Sequence, residues 1–165
     1  MGFDAPSAKY FIKPGYLITY SKPLMIYGVL GSGLFLALWD QKRKYSGCCL
    51  YLYPMAEDES NLTAKYGNVA VNHLINRMCS EGSKTEDLKA HLIGGGSKDH
   101  SQIGVKNIII AEKILKKRGI EIYSNDVGGK LGRKFAYETN TGQNMIMKVH
   151  NIRESDWYPY ISQDK

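Results

Sequence analysis

A short apolar run between two turns most constrains what this chain can fold into. Residues 34–39 read Leu-Phe-Leu-Ala-Leu-Trp and lie between Gly33 and Asp40, directly after the glycine-rich stretch 28–33. The length of the run and its flanks favour a buried strand. A glycine-rich turn beside a buried strand is also a common position for a nucleophile or a bound phosphate. The last residue of this turn, Gly33, has no side chain for such chemistry.

Strand-length runs and helical spacings alternate along the rest of the chain. The spacing of apolar residues predicts helices over 69–79, with Asn68 as N-cap and Gly82 as stop, and over 105–117. Further strands are predicted over 48–53, 89–93, 120–124, 135–137 and 145–149, the last two joined by a hairpin at Asn140-Thr141-Gly142. This order predicts a mixed α/β sandwich in a single domain, with helices covering one sheet.

Composition excludes several classes of protein. The chain has 165 residues, 43% of them hydrophobic, and a net charge of +6, which favours acidic partners. Three cysteines make no disulfide framework and fit a reducing cytoplasm, and no spacing suggests a metal or cofactor. The basic clusters 42–44 and 116–118 lack interleaved aromatic residues, so we expect no nucleic-acid partner. No apolar stretch is long enough for membrane insertion.

Candidate sites are few when each residue is judged alone. The glycine-rich turns 28–33, 94–96 and 128–132 match neither the P-loop nor the dinucleotide-binding pattern, and each is predicted to be a tight turn. Cys48 is a candidate nucleophile and His91 a candidate base for it, although no histidine is adjacent in sequence. His73 is expected on the apolar face of the first helix, as a core residue.

Taken together, several stretches resemble the CheD family, the chemoreceptor glutamine deamidases of bacterial and archaeal chemotaxis. The matching stretches are LGSG at 30–33, KYGNVAVNHLINRM at 65–78, AHLIGGGS at 90–97, IGVKNI at 103–108 and DVGGKLGRKF at 126–135. The resemblance implies a three-layer α/β/β sandwich. It also implies a cysteine-hydrolase chemistry, in which a thiolate attacks a glutamine side chain, a histidine acts as base and a threonine orients that histidine.

The three family catalytic positions carry other residues in this chain. The cysteine of the family's LGSC turn corresponds to Gly33, the histidine four residues before a proline corresponds to Leu50, and the threonine six residues before the cysteine corresponds to Tyr27. None of these can perform the family's reaction, because the members of a nucleophile–base unit act together. We therefore expect a catalytically inactive member, a pseudoenzyme, that works by binding.

The resemblance further implies scaffold positions, partners and boundaries. The scaffold positions that line the old pocket are Gly31, Ser32, Gly94, Gly95, Gly128, Gly129 and Arg133. Partners would be the cytoplasmic domain of a chemoreceptor or a CheC-like protein. Residues 1–150 would form the CheD-like domain and 151–165 a C-terminal extension, whose Trp157, Tyr158 and Tyr160 could cover the old pocket.

Two alternatives remain open at this stage. In the first, the chain is an active deamidase with a nucleophile relocated to Cys48, which lies on the same strand face as Leu50. In the second, the turns at 94–96 and 126–133 bind a small anion, with charge supplied by Lys130 or Arg133.

Overall fold

The computed structural model describes residues 8–98 and 101–157, and these contain nine strands and two α-helices. The strands are β1 (Lys9–Phe11), β2 (Leu17–Thr19), β3 (Met25–Leu30), β4 (Leu34–Asp40), β5 (Tyr45–Tyr51), β6 (Leu88–Gly94), β7 (Glu121–Val127), β8 (Gly132–Glu138) and β9 (Asn144–Val149). The helices are α1 (Gly67–Ser80) and α2 (Ile103–Lys117). Three short 3-10 turns span Glu59–Asn61, Thr85–Asp87 and Glu154–Trp157.

The strands form two sheets, and the helices cover one of them. The helix-side sheet has the order β2-β5-β4-β6-β7, and the outer sheet has the order β1-β3-β8-β9. One apolar cluster joins both helices to the helix-side sheet, and a second cluster fills the space between the two sheets. The layers are therefore helices, sheet and sheet, which confirms the predicted single-domain α/β sandwich.

The central strand β4 contains the apolar run 34–39. Leu34, Leu36 and Leu38 face the helices, whereas Phe35 and Ala37 face the outer sheet. A strand covered on both faces has no polar side to display, so its sequence does not alternate. Burial of both faces stabilises the fold mainly through the hydrophobic effect, at about 2 kcal/mol for each fully buried leucine.

The turn predicted over 28–33 is shorter than expected, because Gly28 belongs to β3 and pairs with Phe135 of β8. A β-carbon on Gly28 would lie 2.5 Å from the ring of Phe135. The glycine is thus required because the ring of Phe135 from the neighbouring strand of the same sheet lies over it, and not for a turn. The actual turn between β3 and β4 comprises Gly31, Ser32 and Gly33.

Other expectations also need correction. The N-cap of α1 is Tyr66, whose side chain does not cap the helix, so Asn68 is not the cap. His73 is exposed and not part of the core, because the buried face of α1 consists of Ala70, Val71, Leu74, Ile75 and Met78. The stop at Gly82 is confirmed, since this residue follows the helix with φ of +110°.

Candidate functional site

Backbone hydrogen bonds join three glycine-rich turns that are far apart in sequence. We call residues 31–33, 94–97 and 128–132 the glycine cluster. Its bonds run from Gly95 N to Gly33 O (2.8 Å), from Gly96 N to Gly31 O (3.1 Å), from Gly128 N to Gly94 O (2.9 Å) and from Ser97 N to Gly129 O (2.8 Å). Side chains would block several of these approaches: a β-carbon on Gly94 would lie 2.4 Å from Gly33 O. The turns therefore form one structural unit.

Asn107 of α2 fixes the position of the β3–β4 turn. Its side chain is fully buried, and its Nδ2 donates to the carbonyl oxygens of Ser32 (2.9 Å) and Leu52 (2.8 Å). The backbone carbonyl oxygen of Asn107 accepts a hydrogen bond from the hydroxyl of Tyr51 (2.5 Å). The sequence analysis quoted Asn107 within IGVKNI but gave it no role. The available signal was an asparagine on the buried face of a predicted helix, because a buried polar side chain needs hydrogen-bond partners.

Arg133 performs a similar task for the loop between β7 and β8. Its side chain is 2% exposed, and it donates to Asp126 Oδ1 (3.1 Å), to Gly128 O (2.8 Å) and to Leu131 O (2.8 Å). These contacts occupy both terminal nitrogens of the guanidinium group. Arg133 therefore organises the glycine cluster from within and is not free to offer its charge to an external anion.

At Gly33, which the motifs predict to stand at the position of the family nucleophile, the backbone leaves no room for a side chain. A β-carbon on Gly33 would lie 2.9 Å from the carbonyl oxygen of Tyr51, a contact that forces a shift of the backbone. Leu50, at the position of the family histidine, is 1% exposed and belongs to the cluster between the sheets. Leu50 pairs with Phe35, two residues after Gly33, so these two positions lie close together.

Tyr27, at the position of the family threonine, faces a different side of the fold. Its neighbours on β3, Ile26 and Gly28, are buried against the helix-side sheet, so alternation turns Tyr27 outward. There its ring stacks on Phe11, with 5.3 Å between ring centroids. The structure thus brings Gly33 and Leu50 together and places the side chain of Tyr27 on the outer face of the outer sheet.

Cys48 and His91 lie on the same face of the helix-side sheet but are not neighbours. Both pair with Ala37 of β4, from opposite sides, so they are two strands and about 10 Å apart. Burial raises the pKa of the Cys48 thiol well above its usual value and lowers the pKa of His91 to about 4. His91 Nδ1 instead pairs with Ser124 Oγ at 2.6 Å. The two groups cannot share a proton in this arrangement.

A cavity of about 360 Å³ opens beside the glycine cluster. Its described lining comprises Gly31, Ser32, Gly96, Ser97, Lys98, Ser101, Lys130, Leu131, Gly132, His150 and Ile152. Ile152 belongs to the C-terminal extension, and its Cδ1 lies 3.0 Å from the β-carbon position of Gly132. The extension therefore begins over the glycine cluster. Tyr158 and Tyr160 lie outside the described residues, so their covering role stays a prediction.

Among the described residues, no helix is long and apolar enough to cross a membrane. Within the same ranges, no group of three or more histidine, cysteine or acidic side chains is arranged to hold a metal ion.

Comparisons with known proteins agree with the motifs that the fold brings together. Residues 53–148 match the family model described as CheD chemotactic sensory transduction. A protein of Sulfurimonas denitrificans is 36% identical over 147 residues, covering 86% of this chain and 94% of its own length. A protein of Trichlorobacter lovleyi is 33% identical, covering 84% and 89%, and one of Methanococcus maripaludis is 30% identical, covering 82% and 92%. All three are named probable chemoreceptor glutamine deamidase CheD.

This chain is a chemotaxis protein of α/β sandwich fold, and it belongs to the CheD family. The match to the family model begins after Gly33 and Leu50, so the replaced positions lie outside it.

Proposed function

We propose that this protein binds the cytoplasmic region of a chemoreceptor and does not deamidate it. The observation that carries this proposal is the geometry at Gly33, where the Tyr51 carbonyl oxygen lies too close to admit the β-carbon of a nucleophile. Leu50 supplies no base, and Tyr27 points away from both. Loss of a nucleophile and its base together removes most of the rate of a covalent mechanism.

The surroundings of Cys48 favour the binding role over a relocated nucleophile. The thiol is fully buried, and its raised pKa keeps it protonated near neutral pH. Its candidate base, His91, is two strands away and pairs with Ser124. A nucleophile must meet both substrate and base before its pKa matters.

A surface groove next to the replaced positions supports the binding role. The groove has a volume of about 490 Å³ and follows the end of β5, directly after Leu52. Its apolar and aromatic lining residues are Tyr53, Pro54, Met55, Tyr66 and Ile103, and its charged lining residues are Glu57, Asp58 and Lys106. Met55 is 57% exposed. Exposed apolar side chains grouped in this way are typical of protein-interaction surfaces. A receptor segment held here would lie beside the former catalytic positions.

The net charge and the names of similar proteins support a chemoreceptor as the partner. The relatives described above carry chemoreceptor in their names, and this chain has a net charge of +6. Long-range attraction favours the glutamate-rich helical bundles expected for receptor cytoplasmic domains, and such attraction weakens as salt is added. A CheC-like protein is the second partner implied by the family, and the protein would act in the cytoplasm.

Binding of the full chain to a purified receptor cytoplasmic fragment tests this proposal. Met55→Glu should weaken binding by about tenfold or more, since it places a charge in an apolar contact. Met147→Glu is the matched control, because Met147 is similarly exposed but lies on β9 of the outer sheet.

Rising salt should weaken receptor binding further. The proposal fails if the fragment does not bind, or if both variants bind like the parent protein. Competition by a CheC-like protein then shows whether the two partners share the groove.

A further inference from the structure

The cavity beside the glycine cluster carries an inference that goes beyond receptor binding. The cavity adjoins the β3–β4 turn through Gly31 and Ser32, but Gly33, Leu50 and Tyr27 are not among its described lining residues. We propose that this cavity binds an oxyanion, the phosphate or carboxylate group of a small molecule or of an acidic side chain.

Two lysines bring positive charge to the described lining of the cavity. Lys98 and Lys130 both line it, on the loops that follow β6 and β7. Neither makes an ion pair within residues 8–98 and 101–157, and no acidic side chain appears in the described lining. The nearby carboxylate of Asp126 is already shared by Arg133 (3.1 Å) and Lys148 (3.3 Å). Ammonium groups that have no carboxylate partner and line a concave site attract anions.

The polar groups in the lining are suited to oxyanions. Ser32, Ser97 and Ser101 offer hydroxyl groups, which donate hydrogen bonds to phosphate or carboxylate oxygens. The Oγ of Ser97 is shielded from solvent and has no hydrogen-bond partner among the described residues. Ser97 therefore holds an unsatisfied hydroxyl in the wall of the cavity.

The framework of the cavity is preorganised. Gly96 N is bonded to Gly31 O and Ser97 N to Gly129 O, so the three walls are held together before any ligand arrives. Lys98 Nζ donates to Asn151 Oδ1 at 2.5 Å, which fixes the ammonium group at the rim. The cavity walls are already ordered before a ligand binds. Such preorganisation favours affinity, because binding then costs little conformational entropy. The volume of about 360 Å³ admits a phosphate group with a small organic substituent.

Titration of the full chain with inorganic phosphate, at constant ionic strength and with chloride as control anion, tests the proposal. Amide chemical shifts of Gly31, Ser32, Ser97 and Gly132 should change and saturate. The double variant Lys98→Met/Lys130→Met should bind phosphate at least about tenfold more weakly.

The double variant Lys113→Met/Lys116→Met removes the same charge from exposed positions of α2 and should bind phosphate like the parent protein. Absent or scattered shifts, or equal losses in both double variants, would mean an adventitious ion only and overturn the proposal.

A second arm identifies the source of the anion. If phosphate competes with the receptor fragment for binding to the protein, the natural ligand of the cavity is an acidic side chain of the partner. If phosphate binds without weakening the binding of the receptor fragment, the natural ligand of the cavity is a free small molecule. Either result supports the site, and the phosphate titration stands even if the receptor fragment does not bind at all.

Discussion

The carbonyl oxygen of Tyr51 lies 2.9 Å from the point that a β-carbon of Gly33 would occupy. The position of the family nucleophile is thus closed by the backbone of the neighbouring strand β5. A change of residue at position 33 alone cannot rebuild the family's chemistry, because the chain around it must also move.

Gly33→Ala should lower the free energy of unfolding by about 1–3 kcal/mol, since the added methyl group forces the β4–β5 pair apart. Gly31→Ala is the matched control in the same turn. Its β-carbon would meet only Ile152 Cδ1, at 3.9 Å, so its effect should be within about 0.5 kcal/mol. Urea denaturation of both variants measures the difference, and equal stabilities would contradict the close contact at Gly33.

Asn107→Ala should lower the free energy of unfolding by about 2–4 kcal/mol. The variant leaves the buried carbonyl oxygens of Ser32 and Leu52 without their donor. Asn76→Ala removes an exposed asparagine of α1, which accepts a hydrogen bond from Arg118, and should cost less than about 1 kcal/mol. Thermal unfolding compares the two variants, and a mild effect of Asn107→Ala would show that the β3–β4 turn holds without this anchor.

Stability should fall as the pH is lowered from about 7 to 4, in part because of His91. Burial lowers the pKa of His91 from 6.5 to about 4 in the native state. Between these values the unfolded chain takes up a proton that the native chain does not, so acid favours unfolding, by up to about 3 kcal/mol. Denaturation across this pH range measures the slope.

His91→Gln should reduce that slope, and His73→Gln, at a histidine exposed on α1, is the control variant. The comparison of slopes is independent of any general loss of stability in the His91 variant. Identical slopes in the two variants would contradict a buried neutral imidazole at position 91.

Alkylation should distinguish the three cysteines. Cys48 and Cys49 are fully buried, and burial raises the pKa of Cys49 to about 12, whereas Cys79 is partly exposed on α1. Iodoacetamide should therefore modify Cys79 first and reach Cys48 only when the protein unfolds. Peptide mapping by mass spectrometry measures the rates, with denatured protein as the positive control. Rapid labelling of Cys48 in the folded protein would contradict this prediction and support Cys48 as a relocated nucleophile.

The helices and central strands were predictable because their patterns are strong and local. The apolar run of β4 and the helical spacing of α2 each point to one structure. Strands β1 and β2 were missed because each has only three residues and depends on a neighbour for its pairing. Gly28 was assigned to a turn because its packing against Phe135 joins residues more than a hundred positions apart.

Residue types at the candidate site were predictable from the family motifs, but their spatial relations were not. The sequence indicated that Gly33, Leu50 and Tyr27 cannot catalyse. It did not indicate that Tyr51 blocks position 33, because backbone register determines this contact. The anchoring role of Asn107 and the presence of Lys98 and Lys130 in one cavity also depend on tertiary contacts between distant segments.

The most direct test of the central claim is a mass-spectrometric deamidation assay. The purified protein is incubated with receptor cytoplasmic fragments from its own source, beside an active CheD protein and the Cys48→Ser variant. We predict that no glutamine becomes glutamate in the presence of this protein while the active control converts its sites. Conversion by this protein that disappears in Cys48→Ser would contradict the account and place the nucleophile at Cys48.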